Sequence, residues 1–234
     1  MQKEDYISNL KKVKDNIQNA AAAAGRNPEE IKLLAVSKNQ SLDAVKILDE
    51  AGVNFFGENR VQELEEKNEK LISQNINLNW HFIGHLQRNK VKYLMRMENC
   101  RMIESIDSLR LAKEVNKRAK KNERVIPVLV EINIAGDENK FGIMPDKAEE
   151  FLKKIIKLKN LKVEGLMTVL PYLDASEKLR SYFKQMKTLF DQLSEDVVQL
   201  NELSMGMTND YQIAIEEGAT IVRVGRAIFG EREY

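Results

Sequence analysis

The chain has 234 residues, 43% apolar and 31% charged, and its 37 basic side chains against 36 acidic ones leave a net charge of +1. So balanced a surface carries no field to hold nucleic acid or an anionic membrane, and no apolar run approaches the ~20 residues that cross a bilayer. A single cysteine, Cys100, excludes an internal disulfide, and the opening MQKEDYISNLKKVKDN lacks the apolar stretch of a secretory signal, so a reduced, cytoplasmic globular protein is expected.

Residues 3–24 place Ile7, Leu10, Val13, Ile17, Ala20 and Ala24 on one stripe, which predicts an amphipathic helix closed by Gly25 and Asn27-Pro28. Short apolar runs then alternate with longer helical segments. The predicted strands are Lys32–Ser37, Val53–Phe56, Trp80–Ile83, Met102–Ile106, Val125–Asn133, Lys162–Val169, Glu202–Met205 and Thr220–Val224. Ser41 is a cap for the helix that runs to Ala51 and stops at Gly52. Asp174 with Glu177 forms a second capping arrangement, ahead of an apolar repeat from Leu179 to Leu193. Asn209–Glu217 is a short helix ended by Gly218. Eight strands with helices between them in a chain of this length predict one α/β domain over residues 1–234. Its fold is a (β/α)₈ barrel, with residues 1–25 packed on it as the remaining outer helix. An open doubly wound sheet uses the same alternation and is the competing fold.

In such a barrel the chemistry sits at the C-terminal ends of the strands, and phosphate sites often follow strands seven and eight. Ser204-Met205-Gly206-Met207-Thr208 enters a helix there, and Gly225-Arg226 begins another short segment. Glycine backbone, hydroxyls and helix starts suit an anion, although each motif alone also reads as a capped helix at a barrel rim. Lys38 ends the first strand at the same mouth. A lysine facing a phosphate cradle suggests a Schiff base to a phosphorylated aldehyde; an isolated lysine there reads rather as a solvated, inert rim residue.

At five strand ends the sequence resembles one family closely. Ala35-Val36-Ser37-Lys38, Phe56-Gly57-Glu58-Asn59, His81-Phe82-Ile83-Gly84-His85-Leu86-Gln87, Leu203-Ser204-Met205-Gly206-Met207 and Val222 to Gly230 are similar, in order and spacing, to the pyridoxal phosphate homeostasis proteins. The resemblance implies a fold-type III barrel like the N-terminal domain of alanine racemase, with pyridoxal 5′-phosphate (PLP) on a lysine, here Lys38. It implies that Ser204, Gly206, Thr208, Gly225 and Arg226 hold the phosphate, Arg226 through its backbone N–H. Arg223 then faces the pyridine nitrogen, and Asn59 and His81 line the ring pocket. The chain departs from the commoner pattern at Asn39-Gln40-Ser41, which lacks a frequent proline, at Thr208 in place of serine, and at Arg226 in place of a small hydroxyl residue.

An arginine cannot accept a proton from the ring nitrogen, so Arg223 leaves the ring a weak electron sink. The resembling racemases also take an acid–base tyrosine from a C-terminal β-domain, and here the sequence ends at Tyr234. The expectation is a monomeric, non-catalytic carrier that stores PLP and delivers it to apo PLP-dependent enzymes. A weak amino-acid racemase on the same lysine is the alternative. Nucleic-acid binding through Lys117–Arg124 and Lys153–Lys162 is not expected, because such runs on helices are ordinarily solvated faces. No metal is expected at His81 and His85, which lack further ligands nearby in the sequence.

Overall fold

Strand and helix alternate because the apolar period alternates. The structure, a computed structural model, describes residues 1–171 and 176–230, so Asp174 of the second predicted cap and Tyr234 lie outside the described residues. The N-terminal helix α1 (Lys3–Ala23) buries Leu10, Val13, Ile17, Ala20 and Ala21. Ile7 lies on the same stripe yet stays exposed. Gly25 ends the helix at φ +66°, where the absence of Cβ removes the penalty, and Arg26 N–H closes back on Ala21 C=O at 2.8 Å.

The strands are β1 (Lys32–Val36), β2 (Phe55–Glu58), β3 (Asn79–Phe82), β4 (Cys100–Ile106), β5 (Ile126–Glu131), β6 (Leu161–Met167), β7 (Glu202–Met207) and β8 (Ile221–Val224). Each pairs in parallel with the next and β8 returns to β1, so the sheet closes into a barrel rather than an open doubly wound sheet. Seven helices fill the crossovers: α2 (Leu42–Glu50), α3 (Val61–Ile72), α4 (Val91–Arg96), α5 (Leu109–Lys121), α6 (Ala148–Ile155), α7 (Ser176–Asp196) and α8 (Tyr211–Glu216). A last turn, α9 (Arg226–Phe229), follows β8. Helix α1 packs on α8, α9 and α2, filling the gap left in the outer ring. Ser41 caps α2 through its side chain, accepting from Ala44 N–H at 3.2 Å.

Strand β2 lies two residues beyond its predicted range. Val53 N–H is used to close α2 on Leu48 C=O, and the ladder runs on through Gly57 and Glu58, residues that read as breakers in isolation. Arg124, in one of the basic runs, is not a solvated charge. Its guanidinium donates to the carbonyls of Met97 and Cys100, both at 2.6 Å, at the C-terminal end of α4.

Most buried apolar side chains lie between barrel and helices. A smaller cluster of Leu34, Met102, Leu129, Met167 and Ile221 plugs the barrel interior. Two residues further along three of those strands the inward positions become Glu104, Glu131 and Arg223. An apolar plug therefore supports a polar layer at the end of the barrel where the strands terminate. Among the described residues no helix is long and apolar enough to cross a membrane.

Candidate functional site

Strand parity determines which residues reach the mouth. Side chains of Phe55, Gly57 and Asn59 share a face on β2 and its extension, as do Arg223 and Gly225 on β8, and Ser204, Gly206 and Thr208 on β7. Lys38 continues the parity of Leu34 and Val36 beyond β1 and is half-buried. A Cβ on Gly225 would sit 3.6 Å from Val36 Cβ, which brings the end of β8 against the end of β1. The order of the barrel then lays Thr208, Gly225, Lys38, Asn59 and His81 along one continuous arc, from β7 through β8, β1 and β2 to β3.

The turns after β7 and β8 are in contact: Gly225 N–H donates to Thr208 Oγ1 at 3.3 Å. Gly206 stands at φ +89°, and an added Cβ would lie 2.6 Å from Ala214 Cβ and 2.9 Å from Tyr211 Cα. Its glycine is thus demanded by the close packing of α8 on the strand end, a requirement not visible in the local sequence. Met207 N–H is held by Asp210 Oδ1 at 2.5 Å, which fixes the start of α8. Burial pushes the Asp210 carboxyl up, against the pull of the Met207 N–H and Arg223. Arg226, by contrast, is exposed at the start of α9.

Beneath the mouth runs a buried polar chain. Arg223 donates to Ser204 Oγ and to Thr168 C=O, both at 2.6 Å. Ser204 Oγ donates to Glu104 Oε2 at 2.6 Å, and Glu104 Oε1 meets His81 Nδ1 at 2.7 Å. Burial alone would raise the Glu104 carboxyl, but His81, Arg223 and Ser204 outweigh it and hold it below the usual range. An ionised carboxylate only accepts, so Nδ1 of His81 carries the proton and Nε2 is its other face. The His81 ring is tilted against Phe55 at a centroid distance of 5.1 Å. Arg223 is pulled down by burial and supported by Glu104, Asp210 and Glu131. Glu131 itself is pushed up to about 7 by burial and by Asp107.

The Ser204 hydroxyl, expected at the phosphate, is here engaged by Glu104 and Arg223. The backbone after β3 passes so close to Asn59 that a Cβ on Gly84 would fall 2.2 Å from Asn59 C=O. Asn59 is half-buried and His81 buried beside it in the barrel order.

Three residues escaped the sequence reading. Glu104 announces itself only as one acid in the apolar run Met102-Ile103-Glu104-Ser105-Ile106. Glu58 lay within a quoted motif without a role, yet it is buried and accepts from Ser37 Oγ at 2.7 Å. Lys67 sits in the charged stretch of α3, where nothing local separates a buried lysine from a solvated one. His85 contacts Asp107 Oδ2 at 2.9 Å and stacks on Phe141, away from the Glu104 chain.

The alanine racemase N-terminal domain family matches residues 8–233. A pyridoxal phosphate homeostasis protein of Aquifex aeolicus is 46% identical over 226 residues, covering 96% of this chain and 97% of that protein. Its Escherichia coli K12 counterpart is 37% identical, with 98% of each chain covered. PipY of Synechococcus elongatus, in the structure with PLP bound, superposes with a TM-score of 0.80 at 31% identity, over 92% of this chain and 100% of that one. Alanine racemase of Clostridium difficile, at 20% identity and a TM-score of 0.75, shares the fold over 99% of this chain and 60% of its own. A closed barrel with its polar layer and paired turns at one mouth, and this match over nearly all of its length, establish that the chain belongs to the pyridoxal phosphate homeostasis protein family.

Proposed function

We propose that the chain binds PLP at the barrel mouth, carries it on Lys38 as a Schiff base with loss of water, and serves PLP homeostasis by storing and delivering it. The observation that carries this reading is the contact between the turns after β7 and β8, directly beside the end of the strand that leads into Lys38. The names of the relatives and the PLP bound to PipY support the same cofactor. When bound, PLP supplies an aldehyde that condenses with amines and a ring that can accept electrons.

The residues present fit such a group. Thr208 offers a hydroxyl, and the first N–H groups of α9, from Arg226 and Ala227, have no acceptor within their own helix. Gly206 shapes the phosphate turn through its backbone, Gly225 holds the neighbouring turn against it through its N–H on Thr208 Oγ1, and Arg226 acts through its backbone while its side chain stays in solvent. Ser204 serves one layer lower, orienting Arg223. Arg223 presents a permanent positive charge towards the ring nitrogen and cannot take a proton from it. Asn59 and His81 bound the ring, and Glu104 keeps the His81 proton on Nδ1.

An arginine in that position favours a carrier over an amino-acid enzyme. Transfer to apo PLP-dependent enzymes in the cytoplasm is the delivery half of the proposal, and the buried Cys100 thiol, pushed up to about 11 by desolvation, suits a reducing compartment. The test is reconstitution with PLP, borohydride reduction and peptide mapping. A reduced adduct on Lys38 that disappears in Lys38→Ala is the expected result; no adduct, or one retained in Lys38→Ala, overturns the assignment. Sustained racemisation by the loaded protein would replace the carrier with the alternative enzyme.

A further inference from the structure

Lys67 occupies a position on α3 between the buried Leu64 and Leu71, where an apolar side chain would satisfy the packing. Instead it buries a cation, which is costly unless every proton finds a partner. All three do: Nζ donates to Ser37 C=O at 2.6 Å, Glu58 Oε1 at 2.7 Å and Glu63 Oε1 at 2.8 Å. The same Glu63 oxygen accepts from Asn39 N–H at 2.5 Å.

These bonds fall on the two residues that flank Lys38. Gln40 N–H closes a turn on Ser37 C=O at 3.0 Å, with Asn39 held at φ +60°, a region asparagine tolerates better than most residues. Ser37 is tied at both its hydroxyl and its carbonyl, to Glu58 and Lys67 respectively. Among the described residues, Glu58 Oε2 has no hydrogen-bond partner. The cluster thus retains an incompletely satisfied buried carboxylate, a cost that packing of α3 alone does not require.

We propose that Lys67 and Glu63, with Glu58, are positioning residues that clamp the peptide groups on either side of Lys38 from behind the barrel wall and so set the rate at which Lys38 captures an aldehyde. The inference rests on Lys38 being the cofactor lysine. Lys67 and Glu63 meet the turn at the Ser37 carbonyl and the Asn39 amide, so the cluster acts through the backbone that aims the Lys38 side chain.

Glu63 is half-buried, so its substitution opens no apolar cavity, although it also removes one of the three acceptors of Lys67. In Glu63→Ala, loss of one hydrogen bond on the Asn39 amide should speed its hydrogen exchange about tenfold in the cofactor-free protein and slow trappable adduct formation on Lys38 about tenfold. Glu63→Gln keeps an accepting oxygen and should restore both rates. Lys67→Met should slow capture at least as much if it folds. An unchanged capture rate in Glu63→Ala, beside a normal Lys38 adduct in the unsubstituted protein, overturns the clamp and leaves the cofactor reading intact. So does a defect that Glu63→Gln fails to rescue. Absence of a Lys38 adduct in the unsubstituted protein overturns the cofactor reading, and the clamp with it.

Discussion

Two carboxylates of the polar layer are shifted in opposite directions because their neighbours differ. Glu104 is surrounded by His81, Arg223 and Ser204, which hold its carboxyl below the usual range despite full burial. Its contribution to stability is complete above the unfolded pKa and is lost in acid, as the pH falls through the lowered folded value. Glu131 is pushed from 4.5 up to about 7, so between those values the folded protein keeps a proton the unfolded chain has released. Stability therefore falls as pH rises through that window, by about 3 kcal/mol in all. Glu131→Gln removes the titration. Its stability relative to the unsubstituted protein should climb by that amount between pH 4.5 and 8 in urea denaturation. A gap that stays constant with pH would refute the shifted carboxyl.

At the scale of elements, the mouth is shaped by how closely helices and turns approach strand ends. Gly206, near the end of β7, stands at a positive φ with Ala214 and Tyr211 of α8 inside contact distance of any Cβ. Gly206→Ala combines backbone strain with overpacking and should cost about 2–4 kcal/mol. Gly225 has φ −113°, and a Cβ added there would come no nearer than 3.4 Å, to Val36 C=O, so Gly225→Ala should cost less than about 1 kcal/mol. Unfolding midpoints of the two variants check the contrast, and similar losses in both would show that the packing of α8 is not what requires Gly206. The sequence marks both glycines as turn signals alike. Only the register of α8 on β7 separates them, and that register depends on Tyr211 and Ala214, five and eight positions further along.

For the molecule as a whole, α1 ties the last elements of the barrel to the first. Its buried face meets α8, α9 and α2, and Arg26 just beyond it donates to Ile215 C=O and Ala219 C=O, both at 2.8 Å. Leu10→Ala should cost about 2–5 kcal/mol. The loss should appear equally in far-UV circular dichroism and in the fluorescence of Trp80, which is buried on β3. A shift confined to circular dichroism would mean that α1 unfolds apart from the barrel.

Eight strands, the first helix and the two mouth turns were legible because their signals are local: period-two apolar runs, helical stripes, and Gly, Pro or Ser at the ends. Lys38, Arg223 and the glycine turns stood out by position at strand ends. The partners of those residues did not, since Ser204 and Glu104 are 100 positions apart and meet only across the closed barrel. A charged residue within a helix is ordinarily solvated, so amphipathic pattern assigns Lys67 to the surface until the turn after β1 and the end of β2 fold against α3. Local patterning thus dictates elements and their order, because it acts through neighbouring side chains and backbone. Which charges are buried, which hydroxyl is spent on another side chain and which glycine is sterically required are decided by tertiary contact, because desolvation and close packing exist only once distant segments meet.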